Sequence, residues 1–315
     1  MLAKKMMDLK KSKILITGGS GFVGSHFVDT LLAEGVPSEN IRAPRRSECD
    51  LLDLEQCAAA MRGIDVVFHM AAHTGGMEEH KQHPGEIIRD NVLMNTNVLE
   101  AARLQKVKKV VAMGSATVYA ADLEVPYHED SIWGSRYEKI HLPYSFSKLL
   151  LLVMGQTYRE QYGMNIVHVI PTNMYGPGDD GKSGYVIPTL INRIKKSKSD
   201  GSKSIEVWGS GNSTRDFLYV EDAVRALVAI AEKYDEAEPL NLGSGKESTI
   251  RELAEIISKI MGFEGALIWL KDKGGPDNRR LLDISRVREA IGYNPDTDLE
   301  TGLRKTIHWM NLNQQ

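Results

Sequence analysis

Tyr144 and Lys148 stand four residues apart in YSFSK, at the start of a stretch whose body, LLLLVMGQTY, reads as a helix. At that spacing both side chains project from one helical face. An ammonium beside a phenol favours the phenolate, so the pair predicts a tyrosine of lowered pKa that exchanges a proton with a hydroxyl or carbonyl during hydride transfer. A YxxxK pair alone is a common coincidence in a chain rich in Tyr and Lys. Ser115 adds weight, because it ends an apolar run, KVVAMGS, where a hydroxyl can hold the reacting oxygen near Tyr144. Ser115, Tyr144 and Lys148 are the candidate catalytic set.

Hydride transfer needs a carrier, and the first twenty-four residues offer a place for one. Lys13 to Gly24 reads KILITGGSGFVG, a β-branched run breaking at Gly18, Gly21 and Gly24 and continuing through Phe22 and Val23 into a helical pattern. Such a bend lets the backbone approach a pyrophosphate, and the helix that follows presents free N–H groups and a positive dipole end. The spacing is GxxGxxG, one residue longer between the first two glycines than the common fingerprint, and a merely tight turn is the plainer alternative. Cofactor choice is read after the second strand, expected at ENIRAP (39–44). There Arg42, Arg45 and Arg46 precede any acid, which favours NADP(H), with NAD as the alternative. Surface arginines on an exposed loop are the plain reading of the same residues.

Apolar runs at 14–17, 65–70, 109–115 and 165–171 alternate with amphipathic segments near 23–34, 53–62, 85–105 and 144–162. That alternation predicts an α/β protein with a doubly wound parallel sheet of Rossmann type. After Tyr175 the pattern loosens into a loop (176–184), a basic helix, a short strand (204–211) and a strand and helix at 215–233, the helix capped near Glu221 and Asp222. A further strand, the helix TIRELAEIISKIMG, a Gly/Pro loop and a terminal helical region follow. We expect a dinucleotide-binding domain over 1–178 and 214–247, and a smaller discontinuous α/β substrate lobe over 179–213 and 248–315.

The chain has 315 residues, 42% of them hydrophobic, and a formal charge of −3. No global basic field favours nucleic acid or an anionic membrane, so the expected partner is a small molecule. Cys49 and Cys57 are too few for a disulfide framework and lack zinc-motif spacing, which fits a reducing cytoplasm. No apolar stretch reaches the roughly 18 residues of a membrane span, and MLAKKMMDLKKSK reads as a solvated arm. His69 and His73 sit at a strand end with no third ligand evident, so no metal site is expected. The lysines of 193–203 read as a solvated helix face.

The glycine turn, HMAAH (69–73), Asn91, the Ser/Tyr/Lys set, PTNMYGP (171–177) and RDFLYVED (215–222) stand in the order of a known family. The chain resembles the extended short-chain dehydrogenase/reductases that act on nucleotide sugars. Within them it is similar to the GDP-L-fucose synthase branch, through AAHTGGM (71–77), VIPTLINRI (186–194), VWGSGNSTRDFLYVED (207–222) and PDNRRLLD (276–283). The likeness spans about residues 13–310. It implies a homodimer packed through the Tyr-bearing helix, and a nucleotide-sugar substrate, GDP-linked by analogy. It further implies cofactor contacts from Asp50, Ala71, Ala72 and Pro171, with Lys148 on the nicotinamide ribose. Arg215 and Arg279 resemble the family's diphosphate and nucleotide contacts, and Asn173, Val186 and Trp208 its sugar and base contacts.

Two positions depart from that branch. A cysteine two residues after the serine and a histidine just before VIP carry the proton transfers of epimerisation there; this chain has Thr117 and Tyr185. A hydroxyl without an activating neighbour is a poor base near neutral pH, and a phenol needs a lowered pKa. Thr117 and Tyr185 are therefore expected to line the sugar pocket, with 3,5-epimerisation in doubt and hydride transfer at C4 retained. The alternatives are a C4 epimerase holding NAD tightly and, in another class, a non-catalytic dinucleotide-sensing module.

Overall fold

The computed structural model describes residues 7–133, 137–179, 181, 184–273 and 277–313. The strands β1 (Ile14–Thr17), β3 (Val66–His69), β4 (Lys109–Met113) and β5 (Ile166–Pro171) are buried at every residue, as the apolar runs require of strands covered on both faces. With β2 (Ile41–Arg42) and β9 (Leu240–Leu242) they form one parallel sheet ordered β2-β1-β3-β4-β5-β9. The second strand is two residues long rather than the expected six.

Helices cover both faces. On one, α1 (Phe22–Ala33) and α7 (Val220–Lys233) bury Phe27, Leu31, Val224 and Leu227. On the other, α2 (Leu54–Ala60), α4 (Pro84–Leu104) and α5 (Leu142–Tyr162) bury Cys57, Val98, Leu99 and Leu151. A separate short helix, α3 (Met77–Gln82), precedes α4. Prolines at the first turns of α4 and α5 suit positions whose N–H has no helical acceptor. Lys109, wholly buried in β4, donates to the carbonyls of Ala231 and Tyr234 at 2.6 Å and pairs with Asp235, tying the end of α7 to the sheet.

A second core lies beyond the sheet. The helix α6 (Val186–Asp200), the parallel pair β7 (Ser204–Trp208) and β11 (Ala266–Leu270), α8 (Ile250–Ile260) and α10 (Leu299–Asn313) bury Leu190, Ile194, Val207, Ile257 and Leu303. The capping box of Thr249 and Glu252 starts α8. A small sheet, β10 (Glu247–Thr249), β8 (Thr214–Tyr219) and β6 (Asn173–Tyr175), joins the two parts.

Four particulars differ from the sequence reading. Leu9 is buried, so the expected solvated arm is packed by that point, and residues 1–6 lie outside the described residues. The segment 266–270, expected within a loop region, is a strand because β7 offers it an edge. No side chain caps α7; Glu221 and Asp222 lie in its first turn instead. The helix α9 (Ser285–Ile291) packs Val287 and Ile291 into the large sheet's core, although it falls within 248–315.

Candidate active site

In the sheet order, β1 has β2 on one side and β3 on the other, so the chain reverses direction there. Ligands of doubly wound sheets bind beyond the carboxyl ends of the strands at such a point. A cleft of about 2060 Å³ opens there, roughly twice the 1,000 Å³ or so that holds one drug-sized ligand. It has room for two sizeable molecules.

The glycine bend forms one wall. Gly18 has φ +74° and passes so close to the loop after β3 that a Cβ on it would lie 2.9 Å from the Ala71 backbone. A Cβ on Gly24 would run into the Gly18 carbonyl oxygen. Thr17 fixes the neighbouring loop, since its hydroxyl meets His69 Nδ1 at 2.8 Å and accepts from the Ala71 N–H at 3.3 Å. The first turn of α1 has Gly21 as its N-cap and no side-chain acceptor on its N–H groups. A backbone cradle with open donors fits a dinucleotide pyrophosphate. Gly21, Phe22, Val23, Asp50, Ala71, Ala72 and Pro171 all line this cleft.

Of the three arginines expected to read the ribose phosphate, Arg46 lines the cleft. Arg42 is turned away, its guanidinium donating to the Ala60 carbonyl at 2.6 Å, because β2 ends there and its side chain falls on α2. Arg45 is exposed and outside the cleft lining.

At the heart of the cleft, α5 brings Tyr144 and Lys148 against the end of β4. The Ser115 and Thr74 hydroxyls lie near enough to the Tyr144 phenol to favour its ionised form, and Thr74 acts in the same way on the phenol of Tyr185. Thr117 donates its hydroxyl proton to Ser115 Oγ at 3.0 Å. That leaves the Ser115 proton for a ligand oxygen. Lys148 is buried, and its Nζ donates to the Met113 carbonyl at 2.8 Å while lying 5.7 Å from the Tyr144 ring centre. The expected lowering of the tyrosine pKa is not what this arrangement gives. Burial pushes Tyr144 up, with Tyr185 adding to it, because the ammonium is directed at a carbonyl rather than at the phenol oxygen. Burial also pushes Lys148 down to about 8.

His69 and His73 serve the scaffold. Both His69 nitrogens are taken, by Thr17 and by Asn95 at 2.9 Å. His73 lies between Asp90 (2.9 Å) and Glu79 (3.0 Å); burial works against its charge, but the two carboxylates outweigh that and hold its pKa above the ordinary value. Among the described residues no three His, Cys, Asp or Glu side chains gather as a metal site would need.

Thr117, Asn173, Tyr185, Val186, Trp208 and Arg215 line the far half of the cleft. Arg279 does not. It is exposed and clasps Glu247 with both arms, at 2.9 and 2.6 Å, while Asn278 and Arg280 face the cleft. The chain offered two adjacent arginines, and only pairing direction separates them. Sequence reasoning also missed Thr74, Glu138, His80 and His141, all on the cleft wall. Thr74 lay inside a quoted motif, whereas the others carried no local signal.

The parallel sheet, the glycine bend and the flanking helices define a Rossmann-type α/β protein with one large cleft at the strand ends. The chain belongs to the NAD dependent epimerase/dehydratase family, whose model matches residues 14–243. GDP-L-fucose synthase 1 of Arabidopsis thaliana is 33% identical over 308 residues, covering 96% of this chain and 94% of that protein. The GDP-L-fucose synthase of Escherichia coli is 31% identical over 319 residues, covering 97% and 98%. Among solved structures, the GDP-mannoheptose C4 reductase of Campylobacter jejuni with NADP bound superposes with a TM-score of 0.87 at 26% identity, covering 97% of this chain and 99% of that one. Family membership brings a nicotinamide dinucleotide cofactor with it.

Proposed function

We propose that this protein is an NADP(H)-dependent reductase of a GDP-linked 4-keto sugar, with hydride transfer at C4. The observation that carries this reading is the meeting of Ser115, Tyr144 and Lys148 in one cleft beside the glycine cradle. A bound nicotinamide would supply the hydride. The chain's own residues do the rest. Ser115, its oxygen occupied by Thr117, donates to the carbonyl oxygen and orients it. Tyr144, kept protonated by burial, gives that oxygen its proton as negative charge develops. Lys148 would hold the nicotinamide ribose, and from 5.7 Å its charge would ease the phenolate left behind without a hydrogen bond to it. Arg46 and the Gly18 to Gly24 bend hold the cofactor, Arg215 and Arg280 the diphosphate, and Tyr185, Val186 and Trp208 the sugar and base.

Epimerisation at C3 and C5 is not part of this proposal. Thr117 is an alkyl hydroxyl that donates a hydrogen bond to Ser115 and has no base beside it, and Tyr185, although 44% exposed as a residue, has its phenol end desolvated, which raises rather than lowers its pKa, so neither is a ready base at neutral pH. A homodimer is supported by the stripe of Phe146, Leu150 and Val153 on α5, exposed while Leu149, Leu151 and Leu152 face inward. The two GDP-L-fucose synthases and the GDP-mannoheptose C4 reductase are named for GDP sugars, which supports the choice of base.

The test is incubation with GDP-4-keto-6-deoxymannose and NADPH, with NMR assignment of C3, C4 and C5 in the product. A 4-hydroxy product with unchanged C3 and C5 is expected. Fucose would overturn the exclusion of epimerisation, and turnover without added reductant would favour a C4 epimerase with bound NAD.

A further inference from the structure

Arg280 already carries an anion, and Arg215 is tied to it through Asn278. Glu138, on the segment leading into α5, accepts from Arg280 at 2.6 Å and from the Asn278 side-chain amide at 2.7 Å through the same oxygen. Arg215 in turn donates to the Asn278 side-chain oxygen at 2.7 Å. All four residues line the cleft and are at most partly exposed. The second Glu138 oxygen lies 3.8 Å from His141 Nε2.

We infer that Glu138 is a placeholder for the substrate's diphosphate, a specificity-determining carboxylate that the nucleotide must displace from Arg280 before it can bind. This rests on the reading of Arg215 and Arg280 as diphosphate contacts. Two anions cannot share one guanidinium face in a poorly solvated cleft without strong repulsion. The carboxylate aims Arg280 directly and Arg215 through the Asn278 amide, which lowers the cost of ordering them. It also raises the threshold for entry. A ligand with a single phosphate gains too little from the arginines to evict it, whereas a diphosphate spans both.

The released carboxylate has a partner waiting in His141. That imidazole packs edge-on against His80 at 4.8 Å, and its Nδ1 is buried without a protein partner. The charged or titratable groups facing Glu138 are Arg280, Arg215, His141 and Tyr127; those facing His141 are His80, Glu138, Arg280 and Arg215. Burial, with His80 next, pushes His141 down to about 4. Gaining a carboxylate at contact distance would bring it back up.

Calorimetric titration of the full chain with GDP, GMP and guanosine tests this. Glu138→Gln and, in parallel, Glu138→Ala should bind GDP about tenfold more tightly than wild type, a change of about 1.4 kcal/mol. GMP should gain at least as much, so that the preference for GDP over GMP shrinks, and guanosine should not change. Glu138→Asp keeps the charge and should stay near wild type. Wild type that binds GDP no better than guanosine would overturn the arginine assignment itself. Variants that bind GDP equally or more weakly, with wild type binding well, would overturn only the placeholder. Should both neutral variants fail to fold, NMR titration of wild-type His141 still decides: its midpoint should rise with GDP and not with guanosine, and an unmoved midpoint refutes the displacement.

Discussion

Replacing Lys148 with methionine should make the protein more stable and, at the same time, inactive. Lys148 is buried at the cleft wall, and among the described residues its Nζ donates to the Met113 carbonyl at 2.8 Å. Burial moves its pKa from 10.5 to about 8. Each pKa unit is worth about 1.4 kcal/mol, so keeping the ammonium charged at pH 7 costs the fold about 3 kcal/mol. Methionine fills a similar volume without the charge and forfeits one hydrogen bond, about 1 kcal/mol. The net gain at pH 7 is then about 2 kcal/mol. Since the folded-state pKa lies below the unfolded one, the penalty is complete below about pH 8 and fades as pH rises toward 10.5. The gap between wild type and Lys148→Met should close over that window. Urea unfolding at pH 7, 8, 9 and 10, followed by fluorescence, measures it, with NADPH oxidation assayed alongside. A variant no more stable than wild type at pH 7, or a gap that stays constant to pH 10, would refute the reasoning that this site holds a costly charge for chemistry rather than for folding.

The other expectations are simpler. Tyr144→Phe should lower kcat by about 10² to 10⁴, the usual worth of a positioned proton donor, and leave the NADPH dissociation constant nearly unchanged; stopped-flow turnover and fluorescence titration separate the two. Arg46→Ala should raise KM for NADPH about tenfold without affecting NADH, the loss of one charge-assisted contact, while Arg42→Ala, whose guanidinium is occupied by Ala60, should do neither. Asp216, buried with its carboxyl pushed up to about 6, is stabilising while protonated; wild type should therefore lose up to about 3 kcal/mol as pH rises from 3.8 to 6. Asp216→Asn should flatten that slope in thermal melts. Phe146→Glu should give a monomer in sedimentation if the exposed stripe on α5 is a dimer face.

Much of the scaffold was legible because its causes are local. A β-branched run that breaks into glycines and restarts with helical periodicity can be little else than a strand, a turn and a helix, and ILIT is a strand at the residues expected. The leucine run after Lys148 shows the limit of such reading. Leu149, Leu151 and Leu152 face inward while Leu150 looks out, and only the helix's docking separates them. The strand at 266–270 carried too little pattern to be seen, since β7 supplies its reason to exist.

The residue types of the cleft belong to the sequence; their directions do not. By itself the chain determined a doubly wound sheet, a glycine-rich bend between strand and helix, and a serine, tyrosine and lysine set, because periodicity, glycine freedom and i,i+4 spacing act between near neighbours. Tertiary structure alone decided that Arg280 and not Arg279 enters the cleft, that Arg42 leaves it, that Lys148 faces a carbonyl, and that Glu138 sits among the arginines. Side-chain direction and desolvation depend on partners as far apart in sequence as Glu138 and Arg280. Their separation erases any local signal, and the burial that shifts a proton's affinity exists only once the chain has packed around it.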